Sequence, residues 1–146
     1  MRSIVIQSTD KNASINIERR EYEQFTNYAI TGSFDSERVA NEGVVFTGTA
    51  AFLQALEAFD RSRAGSAILE GTEDCQLKIE ADGKSGHAWL TFVVARTIYA
   101  SSPQTGRSKS GRIVLSGSFP VAGEFIGQLV RDFSQLFKPY ETPSAE

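Results

Sequence analysis

The chain contains one histidine and one cysteine, His87 and Cys75, twelve positions apart on neighbouring predicted strands. A zinc site takes three or four nitrogen or sulfur ligands. Asp74 and Asp82 would complete only an oxygen-rich set, so the spacing does not read as a metal centre. Nucleophilic catalysis needs a nucleophile, a base and a group that orients the base. His87 would have to be that base, and it stands at the mouth of the turn "ADGKSGH", beside Trp89. No G-x-S-x-G elbow occurs, and "SGS" at Ser116 to Ser118 is not one. "GKS" at Gly83 to Ser85 matches the end of a phosphate-binding loop. The position five before Gly83 is Lys78 where a glycine is needed, and the context is strand–turn–strand. Glu18, Glu21, Glu23, Asp35, Glu70, Glu73 and Asp74 are candidates for a carboxylate pair by number alone, since nothing in their spacing marks two of them as buried. Arg107, Lys109 and Arg112 fall in or just after the segment Ala100 to Gly111. They are the candidate partner-binding residues, suited to an acidic surface or to keeping a loop solvated. The sequence thus assigns no catalytic, cofactor-binding or metal-binding residue, and the chain reads as a non-enzyme without a cofactor.

These side chains need elements to position them. At 146 residues the chain suits one domain large enough to bury a core without disulfides. Forty per cent hydrophobic and 23 per cent charged residues exclude an intrinsically disordered chain. Ten phenylalanines against four tyrosines and one tryptophan make the aromatic material core filler without polar handles. A net charge of −3 gives no footprint for nucleic acid. No stretch approaches a membrane span, and "MRSIVIQSTD" lacks a signal-peptide core. One thiol suits a reducing, cytoplasmic setting.

Period-2 alternation predicts strands at Ser3 to Ser8 (Ile4, Ile6) and Ala13 to Glu18 (Ile15, Ile17), then at "FTNYAITGSF". "RREYEQ" reads as solvent-facing, and "DSERVANEG" as polar with a weak strand start. "GVVF", "SAILEG", "CQLKIEAD", "GHAWLTFVVA" and "RIVLSGSF" read as further strands. "ASSPQTGRSKSG" reads as a mobile loop. The spacing of Phe52, Leu53, Leu56 and Phe59 predicts a helix from Thr49, as N-cap, to about Arg63, with Gly65 as breaker. A second helix is expected from about Ala122 to Phe137, stopped by Pro139. "TGT" and "SGS" read as matching strand-to-helix corners, and an internal duplication is one explanation of them. The resulting fold class is α+β: a mostly antiparallel, curled sheet of about seven or eight strands with two amphipathic helices packed on it. The domain spans 1–138 and a flexible tail 139–146. The expected core is Val45, Phe52, Leu53, Leu56, Phe59, Leu77, Ile79, Leu90, Phe92, Val94, Val114, Leu115, Leu129, Val130 and Phe133.

The order "FLQALEAF", "LKIEADGKSGHAWLTFVVA", "GRIVLSGSF" and "FIGQLVRDFSQLF" resembles small bacterial immunity-type proteins, which neutralise toxins, and related domains of unknown function. The likeness covers roughly Val44 to Phe137 and carries no functional residue. It implies a cytoplasmic, non-catalytic binding module that occludes a protein partner such as a toxin. The mild charge and the lack of an apolar span leave no nucleic-acid or membrane partner expected, and a homodimer through sheet edges or the final helix is plausible. The alternative is a small-molecule or lipid-binding protein, with phenylalanines lining a cavity in the curled sheet.

Overall fold

Alternating isoleucines build the first sheet. In the computed structural model, which describes residues 2–139, four antiparallel strands follow in order: β1 (Ser3–Gln7), β2 (Ala13–Glu21), β3 (Thr26–Phe34) and β4 (Glu37–Val44). The register pairs Ile4 with Ile17 and Ile6 with Ile15, so one face is continuously apolar. The second sheet has β5 (Phe46–Thr47), β6 (Ser66–Gly71), β7 (Gln76–Ala81), β8 (Ala88–Ser101) and β9 (Ser108–Val121) in sequential order. Helix α1 (Thr49–Ser62) connects β5 to β6, and α2 (Ile126–Phe137) follows a short 3-10 turn after β9. The α+β class stands, with nine strands in two sheets among the described residues in place of one curled sheet.

The sheets meet where β3 and β4 cross β8 and β9, while α1 packs on β6 and on α2, and α2 reaches β1. Apolar faces from all these elements form one core. Phe52, Phe59, Phe92 and Phe133 are fully buried, and the Phe52 and Phe133 rings stand edge to face with centroids 5.0 Å apart. Leu129 is buried too, but it lines a surface groove with Val5 and Phe125, so water can reach a hole left there. Leu129→Ala is therefore expected to cost about 2 kcal/mol, the low end for a truncated core leucine, read as a lower urea midpoint.

Several expectations are corrected. "GVVF" is not one strand: Val44 ends β4, Phe46 starts β5, and Val45 between them is exposed as the chain changes sheet. Val114 is also exposed, on the outer face of β9, whereas Leu53, Leu115 and Val130 pack at the core's margin. Thr49 is the first helical residue of α1, and the capping position is Gly48 in the left-handed region. At the other end, Arg63 itself takes the left-handed conformation (φ 54°) and ends the helix ahead of Gly65. "SGS" is no corner, because β9 runs through it to Val121 and α2 begins later than Ala122. Without the second corner, the repeated grammar loses its structural counterpart. "DSERVANEG" holds all of the edge strand β4 except its last residue, Val44, and the strand is bulged between its pairings at Asn41 and Val44. "RREYEQ" is not wholly solvent-facing, since Arg19 is buried. Of the expected tail, residues 140–146 lie outside the described residues.

Candidate partner-binding arm

Strand β7 stops pairing at Gln76 opposite Val93, but β8 and β9 continue together to the pair Ser101–Ser108. Ala100 to Gly111 is therefore not a twelve-residue loop. It is the end of a two-stranded arm, closed by a turn in which Ser102 N–H donates to Arg107 C=O (2.8 Å) and Gly106 N–H to Ser102 C=O (2.9 Å). An isolated two-stranded ribbon is marginal in water, so the arm must be held at its root.

The root is held by the 3-10 turn Thr72–Asp74. Arg112 on β9 donates to Glu73 C=O (2.8 Å) and pairs with the Asp74 carboxylate (3.0 Å). Glu73 Oε2 accepts from Thr97 N–H on β8 (3.3 Å) and from the Asn41 amide on β4 (2.9 Å). Asn41, itself buried, also donates to Ala95 C=O (2.8 Å) and accepts from Gly43 N–H (3.0 Å). One turn thus ties both sheets to the arm. Glu73 (φ 58°) and Asp74 (φ 64°) are both in the left-handed region, which costs non-glycine residues roughly 1–2 kcal/mol each. Such strain persists where surrounding contacts over-determine it, and here four polar contacts to Glu73 and Asp74 do so.

Cys75 lies next to this turn, fully buried. Its Sγ accepts from Ala95 N–H (3.5 Å) and faces Ala95 C=O (3.4 Å). Burial pushes the thiol up from its ordinary value, so the nucleophilic thiolate is disfavoured. Iodoacetamide at pH 8 should therefore leave Cys75 unmodified in the native protein under conditions that fully label it in urea. Equal labelling of both states would show that Cys75 is accessible.

The three residues chosen from sequence separate. Arg107 sits in the terminal turn and Lys109 on β9 opposite Ala100, both exposed. Arg112 is occupied by Glu73 and Asp74, so it positions the arm. Arg96, on β8 opposite Ile113, belongs with Arg107 and Lys109 and was missed because it follows an apolar run. From Arg96 to Gly123 the chain has four basic residues and no acid, while all eighteen acids and the other eleven basic residues lie elsewhere. The arm is a basic projection from an acidic body. It also exposes Ile98, Tyr99, Ile113 and Val114, with Tyr99 at 74%.

Neither His87 nor the carboxylates form a reactive constellation. His87 Nδ1 accepts from Gly123 N–H (2.8 Å), which places the neutral ring's proton on Nε2 and uses the ring to hold the chain leading to α2. Glu21 is paired with Arg19 and Arg2, and Glu70 stands on a solvent-facing position of β6 opposite Gln76. Glu73 and Asp74 come together, but each carboxylate is already engaged. Among the described residues no group of three or more His, Cys, Asp or Glu side chains could hold a metal, and no helix is long and apolar enough to cross a membrane.

No family model, curated protein or solved structure matches the chain. The arm's own chemistry carries the functional reading.

Proposed function

We propose that this is a non-catalytic protein-binding module of immunity type, which acts by covering a functional surface of a partner protein such as a toxin. The observation that carries the reading is the arm: a projecting ribbon, clamped at its root, that exposes tyrosine and β-branched residues among arginines and lysine. Tyr and Arg are the residue types that dominate binding energy at protein interfaces. A clamped ribbon also loses little conformational entropy on docking. Phe52, Phe92, Phe119, Phe133 and Phe137, which a ligand-binding reading would place around a cavity, instead pack on one another, and only Phe125 among the phenylalanines lines the groove beside Leu129.

The test uses two baits in parallel, the intact domain and Tyr99→Ser/Val114→Ser, for capture from the native lysate. Both substituted side chains are exposed, so folding is expected to survive. One stoichiometric protein should be retained by the intact domain, bind the variant at least about 30-fold more weakly, and lose its own activity in the complex. A captured protein that ignores the substitutions, or a co-purifying small molecule with no protein, defeats the reading.

A further inference from the structure

The inner face of the arm, which continues the core face of β8 and β9, emerges from under β4 into a trough. Its deeper part, about 670 Å³, is lined by Arg38, Asn41, Glu73, Arg96 and Ile113, among others. A shallower part, about 280 Å³, continues along the arm past Ile113 to Ile98 and Lys109. From the Arg96–Ile113 pair to the Ala100–Lys109 pair is four residue steps, about 13 Å at strand rise. That is the length of a short extended peptide.

The charges of the trough are unevenly used. Glu73 is bonded to Asn41 and Thr97, and Glu42 at the rim faces Arg20 at 4.0 Å. Among the described residues, Arg38, Arg96 and Lys109 have no ion-pair partner. The free charge in the trough is therefore positive at both ends, with Ile98 and Ile113 between. Nucleic acid also carries anions, but a duplex large enough to reach the arm would meet a strongly acidic body and the carboxylates of Glu42 and Glu73. A short protein segment avoids both.

We propose that this trough receives an extended acidic segment of the protein partner, with carboxylates at Arg38 and Arg96 and at Lys109 and an apolar side chain against Ile98 and Ile113. The inference rests on the protein-binding reading above and adds the chemistry of the segment that docks. Bidentate guanidinium–carboxylate pairing supplies the selectivity, and charge complementarity the steering.

The probe is a synthetic ten-residue peptide alternating glutamate with valine and threonine, titrated into the 15N-labelled protein at low salt. A control peptide carries glutamine at every glutamate position, and a 20-base-pair DNA duplex is titrated separately. The acidic peptide should shift the amide signals of residues 38–42, 96–100 and 109–113, and the control should not. Arg38→Gln/Arg96→Gln should weaken binding about tenfold, and Lys109→Gln should weaken it independently if the double variant is poorly folded. Absent or control-like binding of the acidic peptide, unchanged affinity in the variants, or tighter binding of the duplex overturns the inference. The two proposals fail separately. If a captured partner is sensitive to Tyr99→Ser/Val114→Ser but the acidic peptide does not bind, the module reading stands and the trough assignment falls. If no partner is captured but the peptide binds as described, the trough assignment stands and the occlusion reading falls.

Discussion

Gly32→Val is expected to destabilise the protein by about 3 kcal/mol or more, read as a large fall in the urea midpoint with little change in slope. Gly32 lies on β3 where the two sheets cross. A Cβ placed there would stand 2.7 Å from Phe92 Cε2 and 3.0 Å from Val94 Cγ2. Both neighbours are fully buried, so neither can swing into solvent, and relief requires the sheets to separate. Phe92 has a second reason to stay in place: its cross-strand partner on β9 is Gly117, and its ring fills the space that a side chain would take there. Gly117 provides the internal comparison. A Cβ at Gly117 would meet chiefly the ring of Phe34, which is 39% exposed and free to move outward, and would also stand 3.0 Å from Cε1 of the buried Phe92. Gly117→Ala should therefore cost less than Gly32→Ala, because its tightest contact can yield. Equal costs at the two sites, or a wild-type midpoint for Gly32→Val, would mean that the sheets do not approach as described.

That crossing also explains why the sequence shows one sheet where there are two. The strands with one buried apolar face announce themselves: Ile4 and Ile6, Ile15 and Ile17, Leu77 and Ile79 all alternate and all face the core. So do the helical stripes of Phe52, Leu56 and Phe59 and of Leu129 and Phe133. The strand β4 has no such signal. Its inward positions include Asn41, which is buried because it bonds Glu73 and Ala95 across the sheets, and a bulge at Glu42 and Gly43 breaks the period. Long-range partners, not local composition, make "ERVANEGV" a strand. The same holds for "SGS". Ser116 and Ser118 face outward, Gly117 is covered by Phe92 and Phe34, and turn-like letters sit in mid-strand.

The arm was legible as basic and exposed but not as structure. A ribbon with neither face buried needs no hydrophobic alternation, so "GRSKSGR" carries loop chemistry while pairing with Ile98, Tyr99 and Ala100. Its functional residues divide by what reaches them. Arg112 meets the strained turn at Glu73 and Asp74, 38 or 39 positions earlier, a pairing that no local spacing encodes. Arg38 and Arg96 come from different sheets and line one trough only because β4 lies beside the arm. The candidate site is thus built by topology from residues that are individually ordinary surface arginines.

Arg19→Ala is expected to cost on the order of 3 kcal/mol, although Arg19 lies in a segment that reads as surface. The apolar stripe of β2 runs Ala13, Ile15, Ile17 and then Arg19, which remains only 8% exposed. Its guanidinium donates to Leu136 C=O (2.8 Å) and Lys138 C=O (2.6 Å), and Arg2 donates to Gln135 C=O and again to Lys138 C=O (2.6 Å each). Gln135 C=O and Leu136 C=O lie in the last turn of α2 and Lys138 C=O just beyond it, at the negative end of the helix dipole, where Gln135 C=O also takes a long bond from Lys138 N–H (3.3 Å). Two charged donors satisfy them and fix the helix across the first sheet. Removing Arg19 loses charge-assisted bonds worth about 1.5–3 kcal/mol each and leaves a buried carbonyl unpaired. Glu21 completes the clamp by pairing with Arg19. Partial burial pushes its carboxyl up, but the bond from Thr26 and the nearby Arg19 charge outweigh this and hold it below its ordinary value. A lowered carboxyl contributes stability that is present above its unfolded value and lost as pH falls through the folded one. The intact protein should therefore lose stability on acidification below about pH 4, and Arg19→Ala should lose less over that range because Glu21 keeps only the more distant Arg2 as a charge partner. A steep acid limb retained in Arg19→Ala would assign the acid sensitivity to other carboxylates, and an unchanged midpoint at pH 7 would remove the clamp.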